Sequence, residues 1–323
     1  MTIQIRTVAV IGAGYMGGGI AQSLALAGVR VTLADASPDA TTAALRRLHD
    51  EALAFERQGL FPAGAAALIA DNLRAADSIA EAVADADFIE EAVPEIPALK
   101  RDVLGQISDA ARPDAIIATN TSTLPVHTLA DAVRHPRRFL TVHFSNPAPF
   151  IPGVELVCGR DTDPAIVPAI RDLLARAGRR CAQVADTPGF VLNRLQYVLL
   201  KEATLIVEEG VATPEDVDTL VSTTFGFRLP FFGPFAIADM AGLDVYANCF
   251  RTFEDAFGSR LATPASLTAL VAEGKFGTKS GAGYSGSFDK TQTDALIAYR
   301  NKAYARMGQL LQELGPSPLQ RKD

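Results

Sequence analysis

One histidine and one glutamate stand in a stretch whose other residues are mostly apolar. Residues 141–157 read TVHFSNPAPFIPGVELV, with His143 near the start and Glu155 twelve residues later. Imidazole changes its charge near neutral pH, and a carboxylate can orient it and stabilise its protonated form. The pair therefore predicts a general base with an orienting acid. The competing interpretation is a surface loop between two strands, in which His143 is a hydrogen-bonded residue at a strand end.

A glycine-rich turn near the N-terminus offers a second kind of chemistry. The run VAVIGAGYMGGGIAQSLALAGVRVTLAD begins at Val8, and its Gly12, Gly14 and Gly17 form G-x-G-x-x-G between a strand pattern and a helix pattern. The first glycine permits a tight turn, the second lets backbone N–H groups approach a pyrophosphate, and the third lets the helix pack on the strand. The turn, with Tyr15 and Met16 inside it, predicts a dinucleotide site.

Asp35 ends the next predicted strand, 23 residues after Gly12. A carboxylate there can accept both ribose hydroxyls and would repel a 2′-phosphate, and no arginine follows directly to hold such a phosphate. The pattern favours NAD over NADP, while FAD shares the fingerprint and stays an alternative. A nicotinamide dehydrogenase needs a base near neutral pKa. His143 fits that role, because His49, His127 and His135 are predicted to lie on the surface.

Composition limits the class of protein. The chain has 323 residues, of which 48% are hydrophobic and 21% charged, as in a globular protein of two domains. Its formal charge of −7 argues against nucleic acid or an anionic membrane as a partner. The three cysteines lie outside any CxxC pattern, which predicts free thiols, a cytoplasmic location and no metal site. We expect neither a signal peptide nor a transmembrane segment, because the sequence shows no leader pattern and no apolar run of membrane-spanning length.

Strand and helix patterns alternate over roughly the first 185 residues and give way to helices alone. Such alternation predicts an α/β fold, a Rossmann-type doubly wound and mainly parallel sheet, over residues 1–186. An all-helical C-terminal domain is expected over residues 187–323, with the last two strands of the sheet as antiparallel additions. The predicted strands are Val8–Gly12, Val31–Asp35, Phe88–Val93, Ala115–Asn120, Phe139–Phe144, Val154–Cys158 and Cys181–Ala185. The predicted helices include Tyr15–Ala27, Ala40–Leu73, Ile96–Ala111, Asp163–Ala177, Asn193–Glu209, Pro214–Thr224, Phe235–Phe257 and Thr293–Leu314.

Eight short runs carry a family resemblance. In chain order they are GAGYMGGGIAQ, EEAVPE, TNTSTL, HFSNPAP, VELV, TPGFVLNRL, GPFAIADMAGLD and GKFGTKSGAGY. This order, from Val8 to about Tyr284, resembles the 3-hydroxyacyl-CoA dehydrogenase family. The resemblance implies NAD-dependent, reversible oxidation of a hydroxyl β to a carbonyl, and a helical domain that forms a homodimer interface.

The same resemblance implies a role for each matching residue. His143 matches the family's catalytic base and Glu155 its acid. Ser122 matches a serine that hydrogen-bonds the substrate beside the nicotinamide, and Asn193 an asparagine that holds the reacting oxygen. Contacts with the dinucleotide are implied for Glu95, Lys100, Ser122, Asn146 and Lys279.

The substrate is left open by two departures from the family. The stretch Ser37–Arg74 has no lysine, whereas members that bind coenzyme A tend to carry lysines there for its phosphates. Some branches of the family act on small free acids; they resemble gulonate 3-dehydrogenase and the pyridine-carboxylate dehydrogenase of vitamin B6 breakdown. Arg228, in FGFRLPFFGPF, stands where these branches carry a cation. The expected substrate is thus a 3-hydroxyacyl-CoA, or a small hydroxy acid or ring carboxylate anchored by Arg228.

Two further alternatives stand beside these. Arg228 could instead be an exposed loop residue, or could pair with a carboxylate such as Glu202. The whole chain could also be a non-catalytic, crystallin-like protein that kept the fold. The intact set of Ser122, His143, Glu155 and Asn193 argues against that last interpretation.

Overall fold

The computed structural model describes residues 3–318, which divide into two compact units. The first extends to Leu199 and the second begins at Leu200. The domain boundary predicted at residue 187 stays a prediction; the compact units divide 13 residues later, at Leu200, within a helix. Within residues 3–318, no helix is both long and apolar enough to cross a membrane.

The first unit is built on an eight-stranded sheet in the order β3-β2-β1-β4-β5-β6-β7-β8. Strands β1 to β6 are mutually parallel, β7 runs antiparallel to β6, and β8 is parallel to β7. The predicted sheet is confirmed, and so are its two late antiparallel additions. The strands are β1 Thr7–Ile11, β2 Arg30–Ala34, β3 Leu73–Ala75, β4 Phe88–Glu91, β5 Ile116–Thr119, β6 Phe139–Phe144, β7 Gly153–Cys158 and β8 Arg180–Val184.

Helices cover both faces of this sheet, as expected for a doubly wound fold. Ile20 and Leu24 are buried on one face, and Leu104 and Ile107 on the other. Strand β1 lies between β2 and β4, so successive strands are added on one side of β1 first and then on the other. Such a reversal of strand order leaves a crevice at the carboxyl ends of the strands. The helices are α1 Tyr15–Leu26, α2 Pro38–Arg57, α3 Ala65–Asn72, α4 Ile79–Val83, α5 Pro97–Ala110 and α6 Val167–Arg176, with short 3₁₀ turns at Val126–Thr128, Ala130–Ala132, Pro136–Arg138 and Pro164–Ile166.

The single helix predicted over Ala40–Leu73 is wrong, because α2 and α3 are separate. Residues 58–64, QGLFPAG, interrupt it, since Pro62 lacks a backbone N–H and clashes with the preceding turn of a continuing helix. Strand β3, which follows α3, was not predicted. It is only three residues long, which is too short to show a strand periodicity.

The second unit is helical apart from one small hairpin. The predicted helix Phe235–Phe257 is in fact two helices, because Gly242 between them has a φ of +107°, which a helix does not allow. Neither the helix Ala265–Ala272 nor the hairpin, whose strands are Ala282–Gly283 and Gly286–Ser287, is among the predicted elements. The elements after the sheet are α7 Leu192–Glu208, which enters this unit, α8 Pro214–Thr223, α9 Phe225–Arg228, α10 Pro234–Ala241, α11 Leu243–Phe257, the 3₁₀ turn Gly258–Leu261, α12 Ala265–Ala272, β9 Ala282–Gly283, β10 Gly286–Ser287 and α13 Lys290–Leu314.

Glu90 of β4 is a buried carboxyl group. Its side chain is completely buried, and within residues 3–318 neither of its carboxyl oxygens has a hydrogen-bond partner. Glu90 lies opposite Val10 in the sheet, so it faces the apolar side of β1. Burial, together with the neighbouring charge of Glu91, raises the pKa of Glu90 well above its ordinary value, against the opposing charge of Lys100. The folded protein therefore holds this side chain protonated.

We expect Glu90→Val to stabilise the protein, and increasingly so as the pH rises. The unfolded chain releases this proton above pH 4.5, whereas the folded chain keeps it. Wild-type stability should therefore fall by up to about 1.4 kcal/mol per pH unit between the unfolded and folded pKa values. Urea unfolding at pH 5 and pH 8 would measure this difference. Glu313→Gln, at an exposed glutamate of α13, is the control, and an advantage of Glu90→Val that is equal at both pH values would contradict the assignment.

Candidate active site

His143 and Glu155 are directly opposed residues on neighbouring strands. The antiparallel register of β6 and β7 pairs His143 with Glu155, and directly opposed residues point to the same face of a sheet. The Nδ1 atom of His143 lies 2.8 Å from Oε2 of Glu155, and both side chains are largely buried. The two strands are joined by a loop containing Pro147, Pro149 and Pro152, which cannot continue a strand or form a helix. The loop between the two strands is therefore confirmed, but His143 and Glu155 lie in the strands on either side of it, and their pairing is the one that a base and its orienting acid require.

The second oxygen of Glu155 is held by backbone. Oε1 accepts hydrogen bonds from the N–H groups of Val191 and Leu192, each at 2.9 Å. Phe190, directly before them, has a φ of +48°, a left-handed conformation that is uncommon for a non-glycine residue. Burial would raise the pKa of Glu155, but the hydrogen bonds from His143, Leu192 and Val191 outweigh it and lower the pKa. Glu155 is therefore ionised at neutral pH and only accepts hydrogen bonds.

This carboxylate determines the tautomer of His143. Because Glu155 can only accept, Nδ1 must carry the proton, and Nε2 of a neutral ring then has a free lone pair. Nε2 lies 3.1 Å from the hydroxyl oxygen of Ser122. The arrangement is that of an oriented general base whose basic nitrogen faces a hydroxyl group.

Ser122 is positioned by Glu95 and Asn193. Oε1 of Glu95 accepts hydrogen bonds from the Thr121 hydroxyl at 2.6 Å and from the Ser122 and Thr123 N–H groups at 3.0 and 3.1 Å. These hydrogen bonds and the Lys100 charge lower the pKa of Glu95, although its burial acts in the opposite direction. Nδ2 of Asn193 donates to the Ser122 carbonyl at 2.9 Å. The structure thus brings Glu95, Ser122, His143, Glu155 and Asn193 together.

Lys100 does not lie where the sequence predicted. A contact with the dinucleotide was expected, but its side chain is completely buried beneath the Ser122 turn. Nζ lies 3.0 Å from Oε1 of Glu91 and 3.6 Å from Oε2 of Glu95. Oε2 of Glu91 also accepts the Thr119 hydroxyl. Lys100 therefore neutralises two carboxylates under the site and has no surface to offer a ligand.

The glycine-rich turn leaves a space that fits a pyrophosphate. A Cβ on Gly12, whose φ is +98°, would lie 2.8 Å from the Ala92 carbonyl carbon, and one on Gly17 would lie 1.8 Å from the Gly12 oxygen. A Cβ on Gly14 would meet nothing within 4 Å, so this residue faces open space at the start of α1. Two of the glycines thus allow close packing, and the third allows the approach of a ligand, as the fingerprint predicts.

Asp35 closes the other end of this space. Its oxygens accept the N–H groups of Ala13 at 2.7 Å and Ala36 at 2.6 Å. Carboxylate oxygens have lone pairs beyond those two bonds, so Asp35 can still accept ribose hydroxyls. A cavity of about 420 Å³ joins this end of the turn to the Ser122 turn. It is lined by Gly12, Gly14, Tyr15, Met16, Asp35, Ala92, Val93, Pro94, Glu95, Asn120 and Ser122.

Besides Gly17, Lys100 and Asn193, three more predicted ligand-binding residues lie outside that cavity lining. Asn146 is exposed, just after β6, and its bond to Pro147 is cis. Lys279 belongs to the second unit and forms an ion pair with Asp244. Arg228 ends α9 of the same unit. The roles predicted for these residues stay predictions.

The other histidines fit the predicted surface location only in part. His127 and His135 are exposed, and Nδ1 of His127 lies 2.8 Å from Oδ2 of Asp186. His49 is half-buried, with an Nε2 atom that has no hydrogen-bond partner. The surface prediction is therefore wrong for His49.

Two residues that shape the site were not singled out from the sequence. Glu91 could have been found, because a second acidic residue at the end of a buried strand needs a counter-charge. Arg179 gave no such signal. Its guanidinium donates to the carbonyls of Pro149 and Ile151 and to the Ser23 hydroxyl, at 2.8 to 3.1 Å, and so ties the loop after β6 to α1.

Comparison with known proteins decides the family. Residues 7–187 match the 3-hydroxyacyl-CoA dehydrogenase NAD binding domain, and residues 189–286 match the 3-hydroxyacyl-CoA dehydrogenase C-terminal domain. The chain belongs to the 3-hydroxyacyl-CoA dehydrogenase family. The resemblance found in the sequence is thereby confirmed.

Family members of two substrate types are among its relatives. The 5-formyl-3-hydroxy-2-methylpyridine 4-carboxylate 5-dehydrogenase of Mesorhizobium japonicum is 36% identical over 309 residues, which cover 95% of this chain and 99% of that protein. A probable 3-hydroxybutyryl-CoA dehydrogenase of Bacillus subtilis is 32% identical over 290 residues, covering 90% and 100%. A solved structure of the former type of enzyme, described as an NAD⁺-dependent dismutase, has a TM-score of 0.71 at 36% identity and covers 96% of this chain and 99% of its own.

Membership in this family establishes the class of reaction and the cofactor. The chain is an NAD-dependent oxidoreductase that acts on a hydroxyl group. The prediction of NAD is confirmed, and the residues on the cavity wall fit that cofactor.

Replacing Glu155 by glutamine should impair catalysis without weakening the binding of NAD. The neutral amide cannot stabilise a protonated imidazole and presents an N–H group to two backbone donors, so we expect kcat to fall by about 10²- to 10⁴-fold. Steady-state NADH formation would measure kcat, and fluorescence titration would measure the Kd for NADH. Glu208→Gln, at an exposed position of α7, is the control. An unchanged kcat in Glu155→Gln would contradict the proposed pair.

Lys100→Met should destabilise the fold. Removing the cation leaves Glu91 and Glu95 close together and uncompensated, and breaking a buried ion pair in this way costs about 3–5 kcal/mol. The free energy of unfolding in urea would measure the loss. Lys290→Met, where the side chain is 88% exposed, should leave the unfolding midpoint unchanged. If Lys100→Met had wild-type stability but bound NAD more weakly, the result would instead support the predicted contact between Lys100 and the dinucleotide.

Proposed function

We propose that this enzyme oxidises a secondary alcohol β to a carbonyl or carboxylate group, reversibly, with His143 as the general base. The observation that carries the proposal is the hydrogen bond between Nδ1 of His143 and the ionised Glu155, which leaves Nε2 free to take a proton. The intact base also argues against a non-catalytic role for the fold.

In the oxidative direction Nε2 of His143 takes the proton of the substrate hydroxyl. Glu155 stabilises the imidazolium that results, since its charge is opposite and its oxygens are fixed by three hydrogen bonds. The Ser122 hydroxyl, 3.1 Å from Nε2, supports a substrate oxygen that lies close to both groups, and it can hydrogen-bond to that oxygen. Asn193 has one amide N–H engaged with the Ser122 carbonyl and a second one free to serve the same oxygen.

The binding site for the cofactor follows from the wall of the cavity. The turn that Gly12 and Gly17 allow to pack closely would receive the pyrophosphate at Gly14, with Tyr15 and Met16 beside it. Asp35 would receive the adenosine ribose. NAD, when bound, supplies the acceptor for the hydride. Glu95 and Ser122 line the end of the cavity nearest His143, which suits the nicotinamide end of the dinucleotide. Asn146 and Lys279 stay predicted contacts.

Two classes of substrate fit this reaction, and different observations support them. A 3-hydroxyacyl thioester of coenzyme A is supported by the family and by the Bacillus subtilis relative. A small free hydroxy acid or ring carboxylate, anchored by Arg228, is supported by the Mesorhizobium japonicum relative, whose alignment covers 95% of the chain. Residues 37–74 contain no lysine that could hold the phosphates of coenzyme A, which favours the free acid.

We also propose that the enzyme acts as a homodimer in the cytoplasm. Tyr197, Val198 and Leu200 of α7 are 61–64% exposed, and an apolar helix face of this kind is typical of a subunit interface. The three cysteines are free thiols, which suits a reducing compartment.

The first test measures NADH formation with 3-hydroxybutyryl-CoA and with free 3-hydroxybutyrate, in wild type and in His143→Ala. We expect wild type to oxidise at least one of them, and His143→Ala to lose about 10²- to 10⁴-fold in kcat on it, because the base is gone. His127→Ala, at the exposed histidine, is the control. Turnover by His143→Ala equal to that of wild type would refute the proposed mechanism.

A further inference from the structure

A cavity in the second unit is lined by two arginines and no acidic residue. Its volume is about 330 Å³, and it lies between α9, α10 and α13. The lining residues are Arg228, Ile237, Met240, Ala241, Arg300, Asn301 and Tyr304. We propose that Arg228, Arg300 and Tyr304 form a binding site for the carboxylate group of a small organic acid.

The charges at this cavity are not neutralised by the protein. Within residues 3–318 the side chain of Arg228 forms no hydrogen bond or ion pair, although it is only partly exposed. Among the same residues, the guanidinium of Arg300 donates hydrogen bonds only to the amide oxygen of Asn301, at 3.0 and 3.2 Å. Two arginines without a carboxylate partner among residues 3–318 thus line one cavity, in a chain whose net charge is −7, so an anion bound there would be stabilised by both charges.

The alternative partner for Arg228 is already occupied. Glu202 forms two hydrogen bonds with Arg260, at 2.7 and 3.0 Å, and Glu209 binds the same guanidinium. The expectation that Arg228 pairs with Glu202 is therefore wrong.

Tyr304 adds a neutral donor beside the two cations. Its ring is held by three phenylalanines of the segment around α9, with centroids 5.7 to 6.2 Å from those of Phe227, Phe231 and Phe232. In the part of the chain that the structure describes, its hydroxyl has no hydrogen-bond partner. A phenol in this position can donate to a carboxylate oxygen, as each guanidinium can.

Apart from Asn301, the remaining wall is apolar and indicates the body of the ligand. Ile237, Met240 and Ala241 of α10 form it, with no charged group among them. Such a wall suits a hydrocarbon or aromatic ring better than a nucleotide diphosphate, which would need more cations. The chemistry of the cavity thus indicates a single carboxylate on an apolar or aromatic body.

Helix α13 supplies two of the three proposed binding residues. Arg300 and Tyr304 are four residues apart, so they lie on one face of the helix. The start of α13 is fixed by a capping box between Asp289 and Gln292. The whole helix lies beyond residue 286, where the match to the family's C-terminal domain ends. The site thus depends on an element outside the residues that match the family's C-terminal domain.

This inference deepens the proposed function, since the acid bound here would be the substrate, and it can fail independently of that function. A direct binding assay does not require turnover. Isothermal titration of the purified protein with pyridine-4-carboxylate and with pyridine-4-carboxamide compares a charged probe with its neutral analogue of the same shape.

We expect the carboxylate to bind wild type about 10- to 100-fold more tightly than the amide, because only the charged group forms charge-assisted hydrogen bonds. Arg228→Ala and Arg300→Ala should each abolish most of that difference, while Arg306→Ala, an exposed residue of the same helix, should keep it. Equal affinity of wild type for the two probes, or an unchanged preference in Arg300→Ala, would overturn the proposal.

A kinetic measurement then tests whether the carboxylate is that of the substrate. With the free acid that wild type oxidises best, Arg300→Ala should raise KM about tenfold or more, with an unchanged Kd for NADH, and should leave the KM for a thioester unaltered. A carboxylate preference in binding, combined with an unchanged KM for every oxidised acid, would refute the substrate role. Loss of turnover in His143→Ala tests the mechanism separately.

Discussion

Glu155 uses both of its carboxylate oxygens, one on the imidazole of His143 and the other on two N–H groups at the start of α7. The same three hydrogen bonds that fix its position also keep it ionised in a largely buried place. Its charge then decides which nitrogen of His143 carries a proton, and therefore which nitrogen is basic. The tautomer, the orientation of the ring and the first turn of α7, with Asn193, all depend on this one side chain.

A second carboxylate system supports the hydroxyl group that faces His143. Glu95 gathers the backbone of the Ser122 turn, and Lys100 lies beneath it, completely buried between Glu95 and Glu91. A buried ion pair contributes little net stability, because desolvation offsets its attraction. The ion pair contributes to orientation instead: Lys100 fixes the carboxylate of Glu95, and that carboxylate fixes the backbone of the Ser122 turn. The geometry on both sides of Nε2 is thus imposed by buried charge.

The sequence predicts the sheet and much of the site, because both depend on local patterns. The glycine-rich turn can be recognised because it lies between a strand pattern and a helix pattern. The twelve-residue interval from His143 to Glu155 is typical of two strands joined by a proline-rich loop. Side-chain burial depends instead on residues distant in the chain. Lys100 reads as a surface cation and Glu90 as half of an acidic doublet, yet both are completely buried. The neighbours of Arg228 were hidden for the same reason, since Arg300 is 72 residues away.

The pairing of β6 with β7 has a consequence for how this gene can diverge. Side chains alternate between the two faces of a strand, so deletion or insertion of one codon within β7 would turn Glu155 to the opposite face, away from His143. A change of two codons would restore the face but not the opposition of the two residues. Between His143 and Glu155, a change in length that keeps the pair opposed is therefore expected only in the connecting loop.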